Sequence, residues 1–116
     1  MDKHTLIKRT KQFALAAIRL VESLPRTRTA EVIGRQLLRC STSVGANYRS
    51  ACRAKSKADF TAKMCVVLEE SDECEYWLEL LIESGCAKDG TAPALLAEAH
   101  ELTAIAAASV KTARNA

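Results

Sequence analysis

Aromatic side chains are nearly missing from this chain, which has one Trp, two Tyr and two Phe among its 116 residues. Aliphatic groups must therefore fill most of the core, and no platform for stacking nucleic-acid bases is in view. Glycine and proline are also scarce, at 4 and 2 residues, which argues against loop-rich or low-complexity organisation and for helices with short links. No apolar run reaches membrane length, so no membrane contact is expected. The opening MDKHTLIKRTKQF lacks the uninterrupted apolar stretch of a signal peptide. Five cysteines (Cys40, Cys52, Cys65, Cys74 and Cys86) include no CxxC pair, and His4 and His100 are remote from them, so zinc spacing is absent. The odd count argues against a disulfide framework. The cysteines read as small core hydrophobes in a reducing cytoplasm.

Catalytic motifs are lacking as well. The chain has no P-loop, nucleophile elbow, GxGxxG or HExxH. Glu69, Glu70, Glu73 and Glu75 suggest a carboxylate metal site, but di-iron bundles pair Glu with an inward His three residues on, and no His lies on that segment. No enzyme, cofactor or metal is expected, and a solvated acidic face explains these glutamates.

Charge is present, unevenly. Residues 1–57 hold 13 Lys and Arg against 3 Asp and Glu, a net +10, whereas residues 58–116 hold 4 against 11, a net −7. The two halves attract each other, within a chain or between chains.

Apolar residues recur at three- and four-residue steps in four segments. The first runs from about Thr5 to Ser23 and ends before Pro25. The second spans roughly Thr29 to Ala54, capped by Thr27 or Thr29, with Ile33, Leu37, Cys40, Val44, Tyr48 and Ala51 as its seam. Gly34 and Gly45 inside it suggest close helix approach, since each costs about 1 kcal/mol relative to Ala. The third runs from an N-cap at Ser56, with Asp59 completing a near capping box, to about Ser84, and Gly85 follows as a helix-ending residue. The fourth starts near Thr91 as N-cap, with Pro93 in its first turn, and is expected to be the least firmly packed because it is Ala-rich. Short links between four helices give an all-α, up-down-up-down antiparallel four-helix bundle filling residues 1–116 as one domain.

Drawn as a wheel, the second helix gathers Arg28, Arg35, Arg39, Arg49 and Arg53 on the side away from its seam, and Lys57 joins them if the helix continues that far. Leu38, Gly45 and Cys52 widen its apolar face on one flank. The third helix carries Glu69, Asp72, Glu73, Glu79 and Glu83 outward, with Val66, Trp77, Leu80 and Ser84 among them. An indole amid carboxylates reads as an anchor for a partner, so Val66, Trp77, Leu80, Leu38 and Cys52 are expected at an oligomer interface. The alternative is that the fourth or first helix folds over Trp77. Ser43, Asn47 and Ser50 border the second seam and are expected to hydrogen-bond Glu70, Ser71 and Glu73 as a register-setting network, the alternative being a small polar pocket.

The stretch QLLRCSTSVGANYRSACRAKSKADFTAKMCVVLEESDECEYWLELL resembles the four-helix bundle family also called S23 or 23S rRNA intervening-sequence proteins. The resemblance rests on Arg39, Ser43, Val44 and Asn47, the basic residues up to Ser56, Phe60, and SDECEYWLELL, and with the flanking helices it covers nearly the whole chain. The chain departs at Ser50, where many members carry glutamate. The resemblance implies a small cytoplasmic bundle assembled into a ring, typically a homopentamer, without catalytic activity. Some members are encoded within inserts of 23S rRNA genes, and a similar accessory protein of diversity-generating retroelements works with a reverse transcriptase and nucleic acid.

Two functions follow as expectations. One is an oligomeric module binding RNA or a ribonucleoprotein, with Arg28, Arg35, Arg39, Arg49, Arg53 and Lys57 contacting phosphates. The other is a protein–protein scaffold with no nucleic-acid role.

Overall fold

Four amphipathic segments with three short breaks leave one economical arrangement, and the computed structural model, describing residues 1–116, adopts it. Helices α1 (Lys3–Ser23), α2 (Arg28–Cys52), α3 (Lys57–Glu83) and α4 (Thr91–Asn115) form an antiparallel bundle of 46 × 21 × 19 Å. Each helix packs along its neighbour in sequence, and α1 and α4 close the bundle through a thinner seam. The helix wheel placed the core correctly: Leu37, Cys40, Val44, Cys74, Leu78 and Leu81 have no solvent exposure. Helix α4 is not loosely held. Ala92, Ala99 and Ala106 are buried together with Leu95, Leu102 and Val110, because alanines let it lie close against α3.

The helix ends follow local chemistry. Thr27 caps α2 by accepting from the Ala30 N–H at 3.2 Å, and Ser56 caps α3 by accepting from the Asp59 N–H at 3.0 Å. The Asp59 carboxylate does not close a capping box. It accepts from the Lys55 N–H and from Lys63 Nζ, both at 3.0 Å, and the backbone bond foremost holds its carboxyl below the usual range. Gly85 ends α3 at φ +81°, the left-handed geometry that a side chain would strain. Two starts differ from expectation. Helix α1 begins at Lys3, where Asp2 accepts from the Thr5 N–H at 2.8 Å. Thr91 is the first residue of α4 and not its cap; Asp89 receives its N–H at 3.0 Å as well as its hydroxyl.

The two helical glycines sit where α1 crosses α2. A Cβ at Gly34 would meet Val21 Cγ1 at 3.3 Å and Leu24 Cδ1 at 3.4 Å, both side-chain ends. A Cβ at Gly45 would meet Thr10 Oγ1 at 3.3 Å and the Thr10 carbonyl carbon at 3.6 Å. Thr10 is buried, and its hydroxyl is tied to the Leu6 carbonyl at 2.9 Å, so it has little room to yield. Alanine gains about 1 kcal/mol of helix propensity at either position. Gly34→Ala is expected to keep most of that gain and Gly45→Ala to lose it to the clash. Thermal unfolding should therefore rank Gly34→Ala above Gly45→Ala, and the reverse order would refute this account of the crossing.

Candidate nucleic-acid interface

Helix α2 holds its arginines out because the opposite side is committed to the core. Arg28, Arg35, Arg49 and Arg53 are all exposed, and none has a carboxylate within ion-pair distance. Arg39, also expected in this stripe, is committed elsewhere. Its guanidinium reaches across to α3, pairing with Glu70 at 3.2 Å and more closely with Glu73. Burial opposes its charge, but Glu73 and then Glu70 outweigh that and raise its pKa. Lys57 does not extend the stripe either. Arg53 to Ser56 interrupt the helix, and Lys57 opens α3 with its ammonium against the Ala116 carbonyl.

The basic face is thus split in two by Arg39. Toward the start of α2, Arg35 shares a surface hollow with Arg26, Glu22 and Glu31, so cations there are diluted by acids. Toward its end, Arg49 and Arg53 stand one helical turn apart. With Lys11 of α1 they line a groove of about 520 Å³ that also includes Gly45 and Ala46. On their other side, Arg49, Ser50 and Arg53 share a second hollow with Lys63 of α3. Lys63 is paired with Asp59 at 3.0 Å, whereas Lys11 has no such partner. Arg49 and Arg53 are therefore flanked by Lys11 of α1 on one side and Lys63 of α3 on the other, near the end of α2. Lys11 and Lys63 were not among the expected site residues, because only the crossing of α1 and α3 with α2 brings them there.

No aromatic ring accompanies this cluster. Tyr48 is buried, and burial, with a bond to Cys52 next in weight, pushes its phenol up to about 12. Such a surface can neutralise phosphates but offers no ring on which bases could stack.

The polar residues of α2 do not form a network across helices. Asn47 Nδ2 donates to the Ser43 carbonyl at 2.9 Å and to Ser43 Oγ at 2.8 Å, both in its own helix, and Ser71 bonds the Leu68 carbonyl at 3.1 Å. Ser50 faces the basic hollow. The polar tie from α2 to α3 is instead Arg39 with Glu70 and Glu73. A mid-helix serine or asparagine has backbone carbonyls within reach one turn back, and that local bond prevails here.

Trp77 is half-buried. Its Nε1–H donates to Glu73 Oε2 at 2.8 Å, and its ring meets Tyr76 edge-on at 5.1 Å. Val66, Trp77 and Leu80 lie on the same flank of α3 as Glu70 and Glu73, so the indole leans toward α2 and not toward α1 or α4. Leu38 and Cys52 stand on the other flank of α2, the one that carries Gly45 toward α1, and Leu38 shares a hollow with Val21 and Leu24. The five candidate interface residues therefore occupy two surfaces. Nowhere do three His, Cys, Asp or Glu side chains gather as metal ligands, and no helix is long and apolar enough to cross a membrane.

A family model described as 23S rRNA-intervening sequence protein matches residues 2–108. Among solved structures, the chain is similar to a protein of unknown function from the S23 ribosomal protein family of Bacteroides thetaiotaomicron VPI-5482. The two share 32% identity and a TM-score of 0.86, over 96% of this chain and 99% of that one. No curated protein matches it.

Proposed function

Because the chain belongs to the 23S rRNA-intervening sequence protein family, we propose that it is a non-enzymatic, cytoplasmic bundle that binds RNA or a ribonucleoprotein by its phosphates. The observation that carries this reading is the cluster of Lys11, Arg49 and Arg53, which have no carboxylate partners, beside Lys63 at one end of α2. Arg28 and Arg35 extend the same helix face, and Arg39 and Lys57 contribute less because each has a partner within the chain. Binding of this kind is independent of base sequence and falls steeply with salt. Titrating an RNA hairpin at several salt concentrations, with wild type and an Arg49/Arg53 charge reversal side by side, tests it.

A second reading is a protein scaffold built on a homo-oligomer, a pentamer as the resemblance implies. Its support is apolar surface left open on one protomer: Tyr76 is 53% and Val32 52% exposed, beside the half-buried Trp77. Indoles at such positions dominate association energies, often by 2 kcal/mol or more, roughly 30-fold in affinity. Trp77→Ala is expected to lower the mass measured by light scattering while leaving helicity intact. A wild-type protein that is monomeric at every concentration would exclude this reading.

A further inference from the structure

Two sulfurs face each other in the middle of the α2–α3 seam. The Cys74 thiol donates to Cys40 Sγ across 3.1 Å, and the Cys40 thiol donates to the Leu37 carbonyl at 3.6 Å. Both residues are completely buried, as are their small neighbours Ser41 and Ser71. Small side chains at the seam bring the two helices close enough for such short arms to touch. The sulfurs need to approach by only about 1 Å more to reach bonding distance. The other three cysteines lack this arrangement: Cys52, Cys65 and Cys86 are half-buried, and none has a second sulfur in hydrogen-bond contact.

We propose that Cys40 and Cys74 form an oxidation site, a thiol pair that closes to a disulfide joining α2 to α3 when hydrogen peroxide is the oxidant. One sulfur, as thiolate, attacks the peroxide O–O bond and becomes a sulfenic acid. The displaced hydroxide takes up a proton and leaves as water. The second sulfur then attacks the sulfenic sulfur, the S–S bond forms, and the hydroxyl leaves as a second water with the remaining thiol proton. Two thiols are oxidised by two electrons and one peroxide is reduced. At rest the hydrogen bond to Cys40, with burial added, pushes the Cys74 thiol far above its ordinary value, so Cys74 stays protonated. Reaction awaits a brief opening of the seam, and the pair withstands a reducing environment unchanged. Closure removes freedom from the unfolded chain across the 34-residue separation of the two cysteines.

The test treats the full chain carrying Cys52→Ser, Cys65→Ser and Cys86→Ser with hydrogen peroxide under native conditions, then unfolds, alkylates and maps it. A linked pair of peptides containing Cys40 and Cys74 is expected, about 2 Da lighter than the two thiol peptides together. The thermal midpoint should rise by at least about 5 °C over the reduced form. Adding Cys40→Ser must abolish the link. The unsubstituted chain, mapped in the same way, must show the same link if the triple variant fails to fold. Recovery of both thiols, stepwise oxidation to sulfinic acids without a bridge, bridges to other cysteines, or a bridge that leaves the midpoint unchanged would each overturn the proposal.

Discussion

Replacing Arg49 and Arg53 together by glutamate should cost the protein at least about tenfold in RNA affinity near physiological salt and cut its salt dependence by about half. The reasoning is a count of charges. Lys11, Arg49, Arg53 and Lys63 form the cluster. If each neutralises one phosphate, Lys63 exchanging Asp59 for it, the logarithm of the binding constant falls with the logarithm of salt with a slope of about −3. Removing two cations takes away about half of that slope, and the two carboxylates add repulsion. The fold should survive at a modest cost. Both side chains are exposed and neither is ion-paired, but they stand at the C-terminal end of α2, where a cation favours the helix dipole and a carboxylate opposes it, so a loss of about 1 kcal/mol per site is expected. A double variant that binds as tightly as wild type, with the same slope, would remove the basis of the RNA reading. A wild type with no affinity even at low salt would do the same. Arg28→Glu with Arg35→Glu is the useful comparison, because Glu22 and Glu31 already dilute that end of the helix.

The largest loss of stability is expected at the centre of the bundle. Leu78 has no exposure and lies on the core side of α3 with Cys74 and Leu81. Leu78→Ala removes three carbons from a close-packed interior and leaves a cavity that rigid neighbouring helices fill only in part. Such changes cost about 2–5 kcal/mol, a large fraction of the 5–15 kcal/mol that holds a typical domain together. For a chain of this size the thermal midpoint should drop by about 8–20 °C. Leu15→Ala, at an exposed position on α1, is the control and should move the midpoint little. If the two substitutions had similar effects, the core described for α3 would be wrong.

Much of the fold was legible in the sequence because it is written in short-range terms. A wheel needs only the spacing of apolar residues, and caps such as Thr27 and Ser56 or the stop at Gly85 need only a few neighbours. Asp2 and Asp89 escaped because a carboxylate that accepts a helix-start N–H from one or two residues ahead looks like any other loop acid. The site was legible only in part. That α2 turns its arginines outward follows from periodicity. That Arg39 is consumed by Glu70 and Glu73 depends on the axial register of α2 against α3, which no single-helix pattern contains. The same limit hid Lys11 and Lys63, each unremarkable on its own helix. Ser43, Ser71 and Asn47 bonded within their helices because the nearest partners need no tertiary ordering, whereas a bond across the seam does.

One carboxylate, that of Glu73, holds both the Arg39 guanidinium and the Trp77 indole N–H. The chain contains no other indole. Its ultraviolet emission is therefore a built-in optical gauge of the α2–α3 junction, and any event that loosens Arg39 registers in colour and quenching without an attached dye.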